Sequence, residues 1–129
     1  SAWMDGVEEV LKSASFSMKK LVVSTGCNIY KKDYRTAPFY TELMTRVTKH
    51  CRCLEVCEIY YNAGKSGLKS DIPRWIFDFI QRCPQIEVFR LWSPSGDCGG
   101  LDNKCIAAMV AGWVCLQHLE LTGEAITLD

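Results

Sequence analysis

Leu116-Gln117-His118-Leu119-Glu120-Leu121 is the stretch whose reading decides the fold. It ends a segment, residues 101–121, that reads as a short apolar helix closing into a strand through Cys115, Leu116, Leu119 and Leu121. The same apolar spacing recurs upstream as Met18, Leu21, Val23, then Leu54, Cys57, Ile59, then Ile86, Phe89, Leu91. The last members of successive phrases lie 36, 32 and 30 residues apart. Cys51 and Cys83 each stand three residues before the first apolar position, with Ser15 and Trp113 in the matching places. Four copies of helix, loop and strand at a period near 30 are a repeat signature.

Reading outward from that phrase, Trp3, Val7, Val10, Leu11 and Ala14 recur at helical spacing and predict a first helix facing the core, followed by a strand at Lys20–Ser24. Residues 26–37 are polar, lengthen the first interval and predict a protruding loop. A second helix starts near Pro38, with Phe39, Leu43, Val47 and Cys51 descending one face, and residues 55–60 form its strand. After a glycine-containing loop at 62–70, Asp71 and Pro73 begin a third helix with an apolar stripe of Ile72, Trp75, Ile76, Phe79, Ile80 and Cys83. Pro84 stops it and residues 87–92 make the third strand. A loop at 93–100 follows, then Asp102 caps a fourth helix in which Cys105, Ile106, Met109, Val110 and Trp113 face inward. The fourth strand ends near Thr122, and the remaining residues read as the entry to a fifth repeat.

This pattern resembles the leucine-rich repeats of the ribonuclease-inhibitor-like, cysteine-containing kind found in F-box proteins. The residues that carry the resemblance are Cys51 and Cys83 at helix ends and the phrases ending at Ile59, Leu91 and Leu121; Trp113 departs from it where cysteine is the family's residue. The resemblance implies an α/β fold: a right-handed leucine-rich-repeat solenoid of about four helix-strand repeats with a parallel sheet, at approximately 1–25, 26–61, 62–93 and 94–129 of one domain. It also implies substrate recognition for a ubiquitin ligase, with a ligase adaptor engaged through segments outside this sequence.

At 129 residues, about two thirds of the unfolded surface can be buried. The 15 basic and 15 acidic residues balance, so no overall field draws the chain to nucleic acid or to an anionic membrane. No apolar run approaches the ~20 residues of a membrane helix. Eight cysteines fall mostly at repeat-defined apolar places, such as Cys51, Cys57, Cys83 and Cys105. Thiols acting as small hydrophobes imply a reducing compartment, hence an intracellular protein, cytoplasmic or nuclear. No signal peptide is visible, yet a chain beginning Ser1-Ala2-Trp3 lacks its initiator methionine. With no polar cap apparent at either end and two end strands expected as open edges, the sequence predicts further repeats, a partner or an adjoining domain in the parent protein.

Strand alternation places three rungs on the open sheet face: Lys20, Val56, Val88 and His118; Val22, Glu58, Arg90 and Glu120; Ser24, Tyr60, Trp92 and Thr122. The middle rung alternates in charge, an arrangement usually contributing under ~1 kcal/mol per exposed pair. Tyr60 beside Trp92 is the better marker of binding, because two rigid aromatics on an open face are typical hot spots. The protein-binding set is therefore Tyr60, Trp92, Glu58, Arg90, His118 and Glu120.

Other motifs carry less. Asn62-Ala63-Gly64-Lys65-Ser66 matches the end of a phosphate loop, but the motif's first glycine would fall at Ile59, inside a strand. His50, Cys51, Cys53 and Cys57 lack the second Cys-x-x-Cys pair of a zinc site. His118 near Cys115 has no defined orienting acid for nucleophilic catalysis. The expectation is a non-enzymatic scaffold with no cofactor or metal that binds another protein; a structural subunit of a large assembly and a repeat segment of an immune or sensory receptor are the alternatives.

Overall fold

The structure, a computed structural model, describes residues 2–24, 37–60, 72–92, 101–121 and 124–127. Helix α1 (Ala2–Ser13), strand β1 (Lys20–Ser24), α2 (Ala37–His50), β2 (Val56–Tyr60), α3 (Ile72–Arg82), β3 (Val88–Trp92), α4 (Asn103–Gly112), β4 (His118–Leu121) and β5 (Glu124–Thr127) follow in order. The sheet runs β1-β2-β3-β4-β5. Its first four strands are parallel, and each helix touches the next in the same sequence order. The expected loops at 26–37, 62–70 and 93–100, and Thr122, lie outside the described residues, except that Ala37 already begins α2.

The repeat seen in the side chains is written into the backbone. The Lys19 carbonyl accepts from the N–H groups of Glu55 and Val56, at 2.8 and 3.0 Å. The Glu55 carbonyl does the same for Glu87 and Val88, at 2.7 and 3.0 Å, and the Glu87 carbonyl for Gln117 and His118, at 2.7 and 3.1 Å. One carbonyl gripping two successive donors at each strand entrance pins the register, and a one-residue slip would turn every apolar side chain to the wrong face.

A second ladder runs one step upstream. Cys83 Sγ donates to the Cys51 carbonyl at 2.9 Å, and Trp113 Nε1 donates to the Cys83 carbonyl at 3.0 Å. Trp113 thus performs with an indole what cysteine performs one repeat earlier. Its ring fills the core beside Phe79, at 5.8 Å and nearly perpendicular, and beside Phe89, at 5.1 Å. Burial of such rings supplies the main stabilisation, about 1.5–3 kcal/mol for a side chain the size of Phe. Cys51, Cys57, Cys83 and Cys105 are buried free thiols in this core. Asp102 caps α4 as its sequence position predicts, its Oδ1 accepting from Cys105 N–H at 2.9 Å.

Three expectations change. Trp3 and Val10 are 59% and 63% exposed, and Met4 turns inward in their place beside Leu11, which is buried as expected. Val110 is likewise exposed on α4. Helices α1 and α4 each touch one neighbouring helix, whereas α2 and α3 touch two, so the end helices bury a narrower stripe than their apolar patterns suggest. The chain after β4 does not enter another repeat. It returns as β5 antiparallel to β4, pairing Leu121 with Glu124 and His118 with Thr127. Two residues separate the strands, a hairpin's length, whereas a parallel return needs a dozen or more. Strand β4 is therefore covered, and among the described residues the uncovered parallel edge is that of β1.

Candidate functional site

On each parallel strand, alternate residues enter the core and the others face away from it, giving Cys57 and Ile59 inside with Val56, Glu58 and Tyr60 outside. Strand β3 repeats this with Phe89 and Leu91 inside and Val88, Arg90 and Trp92 outside. The strand register aligns the outer residues as the rungs predict: Lys20, Val56, Val88, His118; then Val22, Glu58, Arg90, Glu120; then Tyr60 and Trp92, with Ser24 at the matching register position of β1. All six proposed binding residues share this face.

Arg90 is held from both sides. Its Nη1 donates to Glu58 Oε1, and its Nε donates to Glu120 Oε2 at 3.2 Å. His118 Nε2 lies 3.5 Å from that same Glu120 oxygen. Glu58 is the most enclosed of the group and Arg90 the most open, so water screens the row and its contribution to stability stays near the ~1 kcal/mol of surface pairs. Its larger effect is geometric: one guanidinium is tethered across three strands.

Tyr60 and Trp92 end adjacent strands with ring centroids 6.2 Å apart and planes tilted by 59°. They are 40% and 46% exposed, and Val22 on the middle rung is similarly open. Between these rings and the charged row lies a half-open pocket of about 170 Å³ lined by Ile59, Tyr60, Arg90, Leu91, Trp92 and Glu120. Sequence reasoning placed four of these six residues. Ile59 and Leu91 were read only as core, because alternation gives no sign that their edges line a hollow at the strand ends.

The other candidates are accounted for by packing. Cys51 and Cys57 lie in the core, and His50 turns to α1, its Nε2 3.1 Å from Glu8 Oε1. That contact, with Lys49 and Arg46 nearby, holds the Glu8 carboxyl below its ordinary range. The cluster ties α1 to α2 across 42 residues, and no local pattern announces it. Burial pushes the Cys57 thiol up, and the Cys83 thiol up to about 12, which leaves both protonated and unreactive at neutral pH. Among the described residues, no cluster of His, Cys, Asp or Glu is arranged to hold a metal ion. No described helix is long and apolar enough to cross a membrane. The phosphate-loop look-alike at 62–66 lies outside the described residues. The chain matches no family model, and no curated protein or solved structure is significantly similar to it.

Proposed function

We propose that this chain is a non-enzymatic protein-binding scaffold, a right-handed leucine-rich-repeat solenoid segment that holds its partner on the sheet face opposite the core. The observation that carries the reading is the Tyr60–Trp92 pair: two large rings, each about half exposed, fixed side by side at the rim of a pocket on a rigid sheet. Rigid aromatics lose little entropy on binding, and truncating such anchors typically costs about 2 kcal/mol or more each. The three forked backbone contacts at strand entrances, spaced like the apolar phrases, support the solenoid reading. The resemblance to F-box leucine-rich-repeat proteins makes a client of a ubiquitin ligase, met inside the cell, the partner class we carry forward.

The test compares the parent chain with a Tyr60→Ala, Trp92→Ala variant as baits, after circular dichroism has verified that both fold. A partner retained by the parent and weakened at least about 30-fold by the variant supports the interface. Equal retention by the folded variant removes it. Recovery of one stoichiometric complex insensitive to both rings would favour a structural subunit of a larger assembly.

A further inference from the structure

Resting on that interface reading, we infer that the pocket between Tyr60, Trp92 and Glu120 receives a basic side chain, lysine or arginine, from the bound partner. Small-molecule sites usually span ~300–1,000 Å³. This pocket, at about 170 Å³, is of a size for one side chain. Tyr60 and Trp92, packed against each other, are two of its lining residues, and aromatic faces carry partial negative charge that attracts cations.

The charged row points the same way. Glu58 and Glu120 carry two negative charges against the single positive charge of Arg90, so these three residues together are net negative. Arg90 spends its Nη1 and Nε on the two carboxylates, which offsets its repulsion of an incoming cation. Glu120 lines the pocket, and only its Oε2 is engaged by described residues, so Oε1 is left to accept from an ammonium or guanidinium. Glu58, paired with Arg90 on the adjacent strand, does not line the pocket. The occupant is thus met by the two rings that line the pocket and by one carboxylate.

The experiment titrates three capped peptides, acetyl-Gly-Lys-Gly-amide, acetyl-Gly-Arg-Gly-amide and acetyl-Gly-norleucine-Gly-amide, into the full chain while following the Trp92 indole N–H by NMR. A basic peptide should bind about tenfold more tightly than the norleucine isostere, corresponding to a cation–π contact plus one carboxylate. Glu120→Gln should erase most of that preference and Glu58→Gln much less of it. Equal binding of norleucine, or an equal loss from the two Glu variants, overturns the inference, as does tighter binding of the corresponding glutamate peptide, which would make Arg90 the recognition group. A peptide library selected on the chain separates the two levels. Binders that need Trp92 but share no basic residue sink the cation pocket and leave the interface standing, whereas binders indifferent to Trp92 sink both.

Discussion

Replacing Trp113 by phenylalanine isolates one hydrogen bond of the core. Trp113 is 1% exposed, and its Nε1 is the donor that satisfies the buried Cys83 carbonyl at 3.0 Å. Phenylalanine keeps an aromatic ring for Phe79 and Phe89 but removes the N–H and part of the volume. Leaving a buried acceptor unsatisfied costs about 1–3 kcal/mol. A void of roughly methyl size adds about 1 kcal/mol. The expected loss is therefore about 2–4 kcal/mol, a large share of the ~5–15 kcal/mol typical of a domain. Urea unfolding followed by far-ultraviolet circular dichroism should show a lower midpoint with an unchanged slope. At 129 residues, Tm should fall by roughly 3–6 °C per kcal/mol. Trp113→Cys and Trp113→Ala complete the comparison. Both open a cavity costing about 3–5 kcal/mol, but the thiol restores a donor and should recover about 1 kcal/mol over alanine. A phenylalanine variant within about 0.5 kcal/mol of the parent, or a cysteine variant no better than alanine, would refute the reasoning that the indole substitutes for the repeat's thiol.

Gly112→Ala should destabilise by about 1–3 kcal/mol in the same melts, because an added Cβ would run into Ile80 Cγ2; an ordinary helical glycine would instead gain about 1 kcal/mol from alanine. Brief iodoacetamide treatment at pH 8, mapped by mass spectrometry, should label exposed Cys115 and spare Cys57 and Cys83 until the chain is unfolded. Asp102→Ala should lower Tm at pH 7. The Cys105 backbone N–H holds the Asp102 carboxyl below its ordinary 3.8, so this cap stabilises above that pH and is lost as pH falls through its folded value. The gap between parent and variant should accordingly narrow in acid, and a gap independent of pH would remove the charged cap.

Much of the site was legible because a strand leaves no choice of face. Once Leu21, Cys57, Phe89 and Leu119 were aligned, Glu58, Arg90 and Glu120 had to fall on one rung and Tyr60 and Trp92 on the next, and the observed register sets them there. The α3 stripe was equally readable, since that helix has a neighbour on either side to cover a broad apolar face. Helix α1 was legible only in part: the stripe read from its spacing joined Val7 and Leu11, which pack inward, with Trp3 and Val10, which do not, and passed over Met4; Trp3 and Met4 compete for the same turn. Which is buried depends on how many neighbours the helix has, a property of position in the fold rather than of the helix itself. The pocket was invisible for a related reason, because it is a space between strand ends and not a pattern along any of them.

Trp113 shows why a break in a repeat need not be a break in the fold. At positions 83 and 113 a buried donor is aimed at the carbonyl of the matching residue upstream and apolar bulk fills the space behind it, whereas the Cys51 thiol meets the Met18 sulfur instead. Cys83 supplies the donor with a thiol at 2.9 Å from Cys51 O, and Trp113 supplies it with an indole at 3.0 Å from Cys83 O. The larger ring takes space that a thiol would leave empty next to Phe79 and Phe89. A sequence pattern records side-chain names, whereas the fold selects for donor position and volume. Cysteine and tryptophan look unrelated in the first description and are interchangeable in the second only when the neighbours are sized to match. The coupled test is a Trp113→Cys chain carrying Ala108→Leu, with Ala108 partly buried against this core. Added bulk that recovers part of the lost stability would show that volume completes the exchange; a further loss would place the limitation in the fixed backbone around the Cys83 carbonyl.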